Sequence, residues 1–377
     1  MTAINSGPKA MLTGGESERK QAKMPPLALI WAFAWATVSA NVSAANELVS
    51  VGEVIAERGE TASGFLSFAG STSRGVDIPV TIINGAGNGP LLALIAGVHG
   101  METAPQAALH RIRREIDPAD ISGAIIIVHR VNVESFRQRT AYLNPLDGKN
   151  MNRVFPGNVQ GSMSERAAAA ITHHVIDQAD YLVDMHAGDA NEDLAPYVYV
   201  PMTGDREQDV STIALARAFG VGRYLPIDIS TTDFEAPIFL DFTAAVRGVT
   251  TITTETGSRG EAASWAVDLA SNGVRGVLAH LGMTNKGPYL EQTAEVWLSA
   301  AEIFPAPKNG FFAASVTSGA EVQEGDEIGR LFDPFGDVIA IVSAPFDGWV
   351  NYVIATPPAN EGDPLAMISR FGTPPLD

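Results

Sequence analysis

The sequence of 377 residues contains no cysteine. This absence excludes disulfide bonds, thiolate nucleophiles and zinc sites with cysteine ligands, so any metal must be held by His, Asp or Glu. A lack of free thiols also suits a protein that works outside the cytoplasm.

Basic residues are scarce as well, with 25 Lys and Arg against 43 Asp and Glu and a net charge of −18. Binding to a nucleic-acid backbone depends on Lys and Arg, so the composition predicts no nucleic-acid partner. A local cluster of Arg can still bind a small anionic substrate, because nearby charges outweigh the global field. The sequence is compatible with a homo-oligomer.

The N-terminal apolar run is too short for a membrane span, which needs roughly 20 apolar residues. This run, PPLALIWAFAWA, covers residues 25–36 and follows basic residues at positions 19–23. Small-residue cleavage sites end at Ala40 and Ala44. We therefore predict a signal peptide over residues 1–44, a periplasmic or secreted protein, and no stable span after signal removal. The alternative is a buried N-terminal helix.

Between residues 87 and 281 the pattern alternates buried strands with amphipathic helices. Continuous apolar runs such as PLLALIAGV and GAIIIVHRVN are typical of strands buried on both faces, and TAPQAALHRIRREI has helical spacing. This alternation predicts an α/β fold, a three-layer sandwich with a mostly parallel central sheet, in a domain over residues 45–304.

Residues 305–377 follow a different pattern of short strands and turns, which predicts a small all-β module. Its segments QEGDEIG and NEGDPLA look like two copies of one turn. The module resembles the barrel-sandwich fold of biotinyl and lipoyl carrier domains. Those carriers need an acceptor lysine, and residues 311–377 contain none. We therefore interpret the module as structural or substrate-gating.

Titratable side chains follow three of the predicted buried strands. His99 and Glu102 come after LLALIAGV, His186 ends YLVDMH, and Glu255 follows a β-branched run. In α/β sheets ligands bind beyond the carboxyl ends of strands. Two His and one Glu form a known catalytic zinc set, and a carboxylate is the usual general base beside it. Each residue taken alone is more simply an ordinary strand-end group; their combination favours a site.

The long connection FRQRTAYLNPLDGKNMNRVFPG carries anion-binding groups. A loop of this length within a compact domain is usually functional. It contains Arg137, Arg139, Asn152 and Arg153. Arg binds carboxylates through two parallel hydrogen bonds and also stabilises a developing oxyanion.

The motifs GVHGMETAP, NMNRVFPG, DMHAG and TTETG, in this order, resemble the succinylglutamate desuccinylase/aspartoacylase family, a branch of the zinc-carboxypeptidase-like fold. The resemblance covers roughly residues 87–281. It implies one zinc ion per chain, general acid and base catalysis by a Glu, a polarising Arg and an Asn-Arg pair that holds the substrate carboxylate. The residues so implied are His99, Glu102 and His186 for zinc, Glu255 for proton transfer, Arg139 for the carbonyl, and Asn152 and Arg153 for the carboxylate.

One position departs from the family pattern. The family often has Asp two residues before the Asn-Arg pair, where it hydrogen-bonds a zinc-ligating His, and this sequence has Asn150. A neutral amide raises the basicity of that ligand less than a carboxylate does. Asp184, two residues before His186 on the same face of its strand, is a candidate to compensate.

Three functions fit these observations. The leading hypothesis is a zinc-dependent hydrolase that removes the acyl group from an N-acylated amino acid or related small molecule bearing a carboxylate. The second is an exported metallocarboxypeptidase that acts on peptides. The third is an inactive carboxylate-binding protein of the same fold, against which Glu255 and the full ligand set count.

Overall fold

The computed structural model describes residues 47–68, 75–286 and 294–376. The predicted signal peptide, residues 1–44, lies outside this part of the chain. Within the described ranges, no helix is long and apolar enough to cross a membrane.

The predicted alternation of strands and helices is confirmed between residues 87 and 281. In chain order the strands are β1 (Leu48–Val51), β2 (Val54–Glu57), β3 (Glu60–Phe68), β4 (Val76–Asn84), β5 (Gly87–Ala96), β6 (Ser122–Val128), β7 (Tyr181–His186), β8 (Glu192–Leu194), β9 (Tyr197–Met202), β10 (Arg223–Asp228), β11 (Thr250–Glu255), β12 (Val296–Pro305), β13 (Gly310–Ala314), β14 (Glu321–Val322), β15 (Glu327–Phe332), β16 (Val338–Ser343), β17 (Gly348–Ile354), β18 (Pro358–Ala359) and β19 (Pro364–Phe371). The helices are α1 (Thr103–Glu115), α2 (Val133–Gln138), α3 (Met163–His174), α4 (Arg206–Phe219), α5 (Leu240–Ala245) and α6 (Ser264–His280).

The helices begin where local chemistry favours a start. Helix α1 carries Pro105 in its first turn, where a missing backbone N–H costs nothing. At the start of α3, Glu165 Oε2 accepts the backbone N–H of Ser162 at 2.7 Å. Asp205 accepts two N–H groups at the start of α4, and Gly220 ends that helix with a left-handed φ of 82°.

The main sheet is mixed, which corrects the expectation of a mostly parallel one. In the described residues its order is β14-β17-β19-β12-β10-β9-β11-β7-β5-β6-β4-β3, with β8 paired to β17. Strands β6, β5, β7 and β11 are parallel neighbours, whereas β9 runs antiparallel to β11 and β4 runs antiparallel to β6. Between β7 and β9 the chain carries only β8 and loops, so β9 starts near the end of β7 and runs back. A parallel return would need a long crossover.

Helices cover both faces of the parallel strands. Leu92 and Leu94 of β5 pack in a core cluster with residues of α1, α4 and α6, whereas Leu91 and Ala93 pack in a second cluster with residues of α3 and α5. Successive residues of a strand point to opposite faces. The continuous apolar run of β5 is therefore explained by burial on both sides.

The C-terminal strands continue the main sheet. Strand β12 spans the predicted domain boundary at residue 304 and pairs in parallel with β10 and antiparallel with β19. A further antiparallel sheet in the described residues has the order β16-β15-β13-β18. The division into domains at residues 304 and 305 stays a prediction.

The two similar turns have the same hydrogen bonds. Asp326 Oδ2 accepts the N–H of Gln323 at 2.8 Å, and Asp363 Oδ2 accepts the N–H of Asn360 at 2.8 Å. In each turn the N–H of the Asp donates back to the carbonyl three residues earlier. The pseudo-repeat read from the sequence is therefore a repeat of turn structure.

Candidate active site

The structure brings together His99, Glu102 and His186 at the carboxyl ends of β5 and β7. Potential ligand atoms of the three residues all lie within 4.8 Å of one another, and all three side chains are buried. The Nδ1 atom of His99 is 2.7 Å from Glu102 Oε1, and the Nδ1 atom of His186 is 2.8 Å from Glu102 Oε2. Parallel pairing of β5 with β7 places the two strand ends side by side.

Glycines allow the elements around this cluster to approach closely. A Cβ on Gly100 would lie 2.2 Å from the backbone nitrogen of Phe136, so the segment after β5 packs directly on α2. Gly257 has a φ of 145°, and a Cβ there would lie 2.9 Å from the Cβ of Ala104 and 3.1 Å from that of Ala187. Both positions require glycine for space, and Gly257 also for its backbone conformation.

The chemistry of these donors fits a divalent metal ion. Two imidazole nitrogens and a carboxylate converge, which is a donor set that zinc accepts. Burial opposes ionisation of Glu102, but the adjacent His186 and His99 outweigh it and lower its pKa to about 2. The carboxylate form that a metal requires is therefore the stable one.

Each histidine has a polar group beside its second ring nitrogen, as zinc ligands usually do. His99 Nε2 lies 3.0 Å from Asn150 Oδ1, the position where the sequence departs from the family pattern. His186 Nε2 lies 3.2 Å from Asp184 Oδ2, although the two groups are not aligned as a hydrogen bond requires. Asp184 is fully buried, and neither of its carboxylate oxygens has another hydrogen-bond partner in the described residues. The geometry thus agrees with a compensating role for Asp184.

Glu255 lies beside the cluster because of strand register. In the parallel pairing of β11 with β7, Glu255 is opposite His186. Burial raises the pKa of Glu255 well above its ordinary value; His186 lowers it, and the nearby carboxylates of Glu102 and Glu192 raise it further. Its Oε2 atom is buried without a hydrogen-bond partner among the described residues. A carboxyl group with a raised pKa and a free oxygen has the properties of a general base.

Asn152 and Arg153 line the same cavity as the metal-binding cluster. Asn152 Oδ1 accepts the N–H of Leu240 at 2.9 Å, which ties the loop to the start of α5. The Arg153 guanidinium lies 4.6 Å from the centre of the Phe239 ring and donates to the carbonyl of Asn152 at 2.6 Å. No ion pair within 4 Å joins Arg153 to an acidic group in the described residues, so its remaining N–H groups can serve a ligand.

Arg139 is not brought to this site. It is exposed, follows α2 with a left-handed φ of 57°, and is not among the residues that line the cavity. Arg137 is also exposed and pairs with Glu134 at 2.9 Å. The structure therefore offers no contact for the expected role of Arg139 on the substrate carbonyl.

Sequence reasoning missed Tyr142 and Glu192, which line the cavity near His99. The Tyr142 hydroxyl lies 2.7 Å from Asn191 Oδ1 and 3.0 Å from Glu192 Oε1, and its backbone N–H donates to Asp189 at 2.8 Å. Burial raises the pKa of Glu192 to about 7. The available signals were an aromatic residue inside the long loop and acidic residues directly after the strand that ends at His186.

Comparisons with known proteins identify the family of this chain. The sequence profile of the succinylglutamate desuccinylase/aspartoacylase catalytic domain matches residues 88–281. The chain belongs to this family. The metal-binding cluster and the carboxyl ends of β5, β7 and β11 all fall within the matched residues.

Similar proteins extend the match over most of the chain. An N-alpha-acetyl-L-2,4-diaminobutyric acid deacetylase from Halomonas elongata is 28% identical over 302 residues, which cover 78% of this chain and 86% of that protein. The product-bound ectoine utilization protein of Ruegeria pomeroyi superposes with a TM-score of 0.76 at 25% identity, covering 86% of this chain and 99% of that one. A succinylglutamate desuccinylase structure from Silicibacter has a TM-score of 0.74 at 26% identity, covering 83% and 95%. The family is thus one of deacylase-type enzymes.

Proposed function

We propose that this member of the family is a zinc-dependent hydrolase that removes the acyl group from an N-acylated amino acid. The observation that carries the proposal is the buried cluster of His99, Glu102 and His186 with the free carboxylate oxygen of Glu255 beside it. The deacetylase and desuccinylase names of its relatives support the same reaction class.

His99, Glu102 and His186 would hold the metal ion. When bound, zinc supplies Lewis acidity and lowers the pKa of a water molecule. Glu255 accepts the proton of the attacking water at its free Oε2 atom and then passes it to the nitrogen of the leaving amine. Its raised pKa strengthens the carboxylate as a proton acceptor, and the carboxyl group then holds the proton until the amine leaves.

Asn152 and Arg153 would bind the carboxylate of the substrate. Arg153 has unpaired N–H donors at the cavity, and its guanidinium carbon lies over the Phe239 ring, 4.6 Å from the ring centre. Two-point binding of a carboxylate then orients the amide relative to Glu255. Polarisation of the carbonyl by Arg139 would require the loop that follows α2 to move.

The pattern of residues 1–44 supports a further proposal, that the protein is exported to the periplasm or secreted. A carboxylate-bearing N-acyl compound in that compartment would be its substrate.

The experiment is a hydrolysis screen of N-acyl amino acids and short peptides with the wild-type protein and Glu255→Gln. The variant keeps the shape of the side chain but removes the base, so we expect the rate to fall by about 10²–10⁴. Metal content and substrate affinity should change little, because Glu255 is not a ligand. Loss of the metal in the variant would make Glu255 a ligand, and retained turnover would place the base elsewhere. An inactive wild-type protein that binds carboxylates would support the binding-protein alternative.

A further inference from the structure

The active-site cavity extends well beyond the catalytic residues. Its volume is about 840 Å³, and its lining includes the metal-binding cluster, Glu255 and Arg153. Small-molecule sites usually measure about 300–1,000 Å³ and enclose drug-sized ligands. An acetylated amino acid would therefore occupy only part of this space.

The C-terminal strands also supply apolar side chains to the lining of this cavity. We call this surface the apolar wall and define it as Ile303, Ile354, Pro358, Pro364, Leu365 and Met367. Asp363, which precedes Pro364 of the wall, also lines the cavity, and its Oδ2 accepts two hydrogen bonds from Asn360, at 2.8 and 3.0 Å. That carboxylate therefore holds its own turn together.

Backbone pairing fixes the apolar wall relative to the catalytic residues. Ile303 of β12 is opposite Met367 of β19. Strand β8, which begins six residues after His186, pairs with β17 so that Glu192 is opposite Ile354. Apart from Pro358, which lies on β18 of the smaller sheet, the wall and the segment that follows the metal ligand thus belong to one hydrogen-bonded sheet.

Ile303 leaves apolar area exposed on this wall. Its side chain is 55% exposed, while Ile354 and Met367 are 5% and 4% exposed. Burial of apolar area stabilises a complex in proportion to the area removed from water. Pro358 and Pro364 of the wall are also exposed. Such an apolar surface is suited to an apolar chain rather than to a charged group, which would lose its hydration there.

We propose that the substrate carries an apolar chain of several carbon atoms, and that this chain lies on the apolar wall while the amide lies at the metal-binding cluster. This inference rests on the proposed hydrolase function. The apolar chain of the substrate belongs either to its acyl group or to the side chain of its amino acid. In both cases the contact with the wall is a hydrocarbon contact.

Two series of substrates separate these sources. One lengthens the acyl group of N-acylglycines from acetyl to decanoyl, and the other lengthens a linear side chain on N-acetyl amino acids. We expect kcat/KM to rise about two- to fourfold per added methylene in one series, up to the length that fills the cavity. Values that stay flat or fall with length in both series would overturn the proposal.

A matched pair of variants tests the location. Ile303→Asp places a charge on the wall, whereas Ile341→Asp changes an isoleucine on β16 that is 58% exposed and does not line the cavity. Ile303→Asp should lower the ratio of kcat/KM for the longest and shortest substrates at least tenfold, and Ile341→Asp should leave the ratio unchanged. Equal ratios in both variants would place the apolar chain elsewhere.

Binding of unreactive N-alkylglycines separates this inference from the proposed function. These compounds have no amide to hydrolyse, so calorimetry measures their affinity for the cavity in the absence of a reaction. Affinity that rises with alkyl length and falls in Ile303→Asp would support the wall even if no N-acyl compound were hydrolysed. Hydrolysis of acetylated substrates with no length dependence in rate or binding would retain the proposed function and overturn the wall.

Discussion

Substitutions of the polar residues that face the two histidines should have opposite effects on metal affinity. With a metal ion on Nδ1, the Nε2 atom of each imidazole carries a proton and needs an acceptor. Asn150 offers an amide oxygen to His99, and Asp184 offers a carboxylate to His186. We expect Asp184→Asn to weaken metal binding and Asn150→Asp to strengthen it.

The expected size follows from burial and charge. Loss of an outer partner of a metal ligand typically lowers metal affinity about 10- to 100-fold. Asp184 is fully buried 3.2 Å from His186 Nε2, so water cannot replace it and the upper half of that range applies. Asn150 already accepts from the N–H of Asn152 at 2.9 Å, and Asp would keep that bond while adding charge. We expect a gain of up to about tenfold there, or roughly 1.4 kcal/mol.

The assay is competition for zinc against a chelator of known affinity, with folding checked by circular dichroism. Asp209→Asn is the matched control, because Asp209 is also buried but accepts hydrogen bonds from Thr203 and Gly204, far from the cluster. Unchanged zinc affinity in Asp184→Asn, or equal weakening in Asp209→Asn, would refute the role assigned to Asp184. A decrease in Asn150→Asp would refute the argument from charge.

Three further predictions concern other residues. Protein purified without added metal should contain near-stoichiometric zinc by elemental analysis, and zinc that persists in the His99→Ala/His186→Ala double variant would show that the cluster is not the site. Arg153→Ala should raise KM for a substrate with a carboxylate far more than for its neutral amide analogue; equal losses would indicate a structural residue. Burial lowers the pKa of His129 to about 4, so the unfolded chain, with an ordinary pKa near 6.5, takes up a proton first as the pH falls. The free energy of unfolding should therefore fall as the pH is lowered from about 6.5 to 4. In denaturant titrations, His129→Gln should lose about 1–3 kcal/mol less than the wild type over this range. A pH profile identical to that of the wild type would contradict the burial argument.

The metal-binding cluster could be predicted from the sequence because its geometry follows from sheet topology. His186 and Glu255 end two strands that the structure pairs in parallel, so their side chains lie together once the strands align. Glu102 follows His99 within one short turn before α1. The apolar pattern of the strands, and the rule that ligands bind beyond the carboxyl ends of strands, are sufficient to predict this site.

The loop after α2 could not be predicted, because tertiary contacts decide its conformation. Arg139 has a left-handed backbone and is exposed outside the cavity lining, while Tyr142, also left-handed, lines the cavity. The N–H of Tyr142 donates to Asp189, which lies in another segment of the chain. A resemblance in sequence transfers a residue type but not the path of a loop.

The direction of β9 and the apolar wall were also beyond sequence reasoning. The apolar pattern of β9 is the same whether the strand runs parallel or antiparallel to β11. The wall depends on which distant strands pair, such as β8 with β17, and periodicity carries no information about partners.

The pairing of β8 with β17 also bears on how the protein folds. Contacts between segments far apart in the chain close large loops and tend to form late, whereas β5 and α1 are adjacent and bring His99 to Glu102 early. Assembly should therefore run from the histidine and glutamate side chains toward the C-terminal strands. Metal that arrives during folding would meet its ligands while that side is still open to solvent, and closure of the last strands would then slow its escape. If this cluster binds a metal ion, the lifetime of that ion would then depend on strands that contribute none of its ligands.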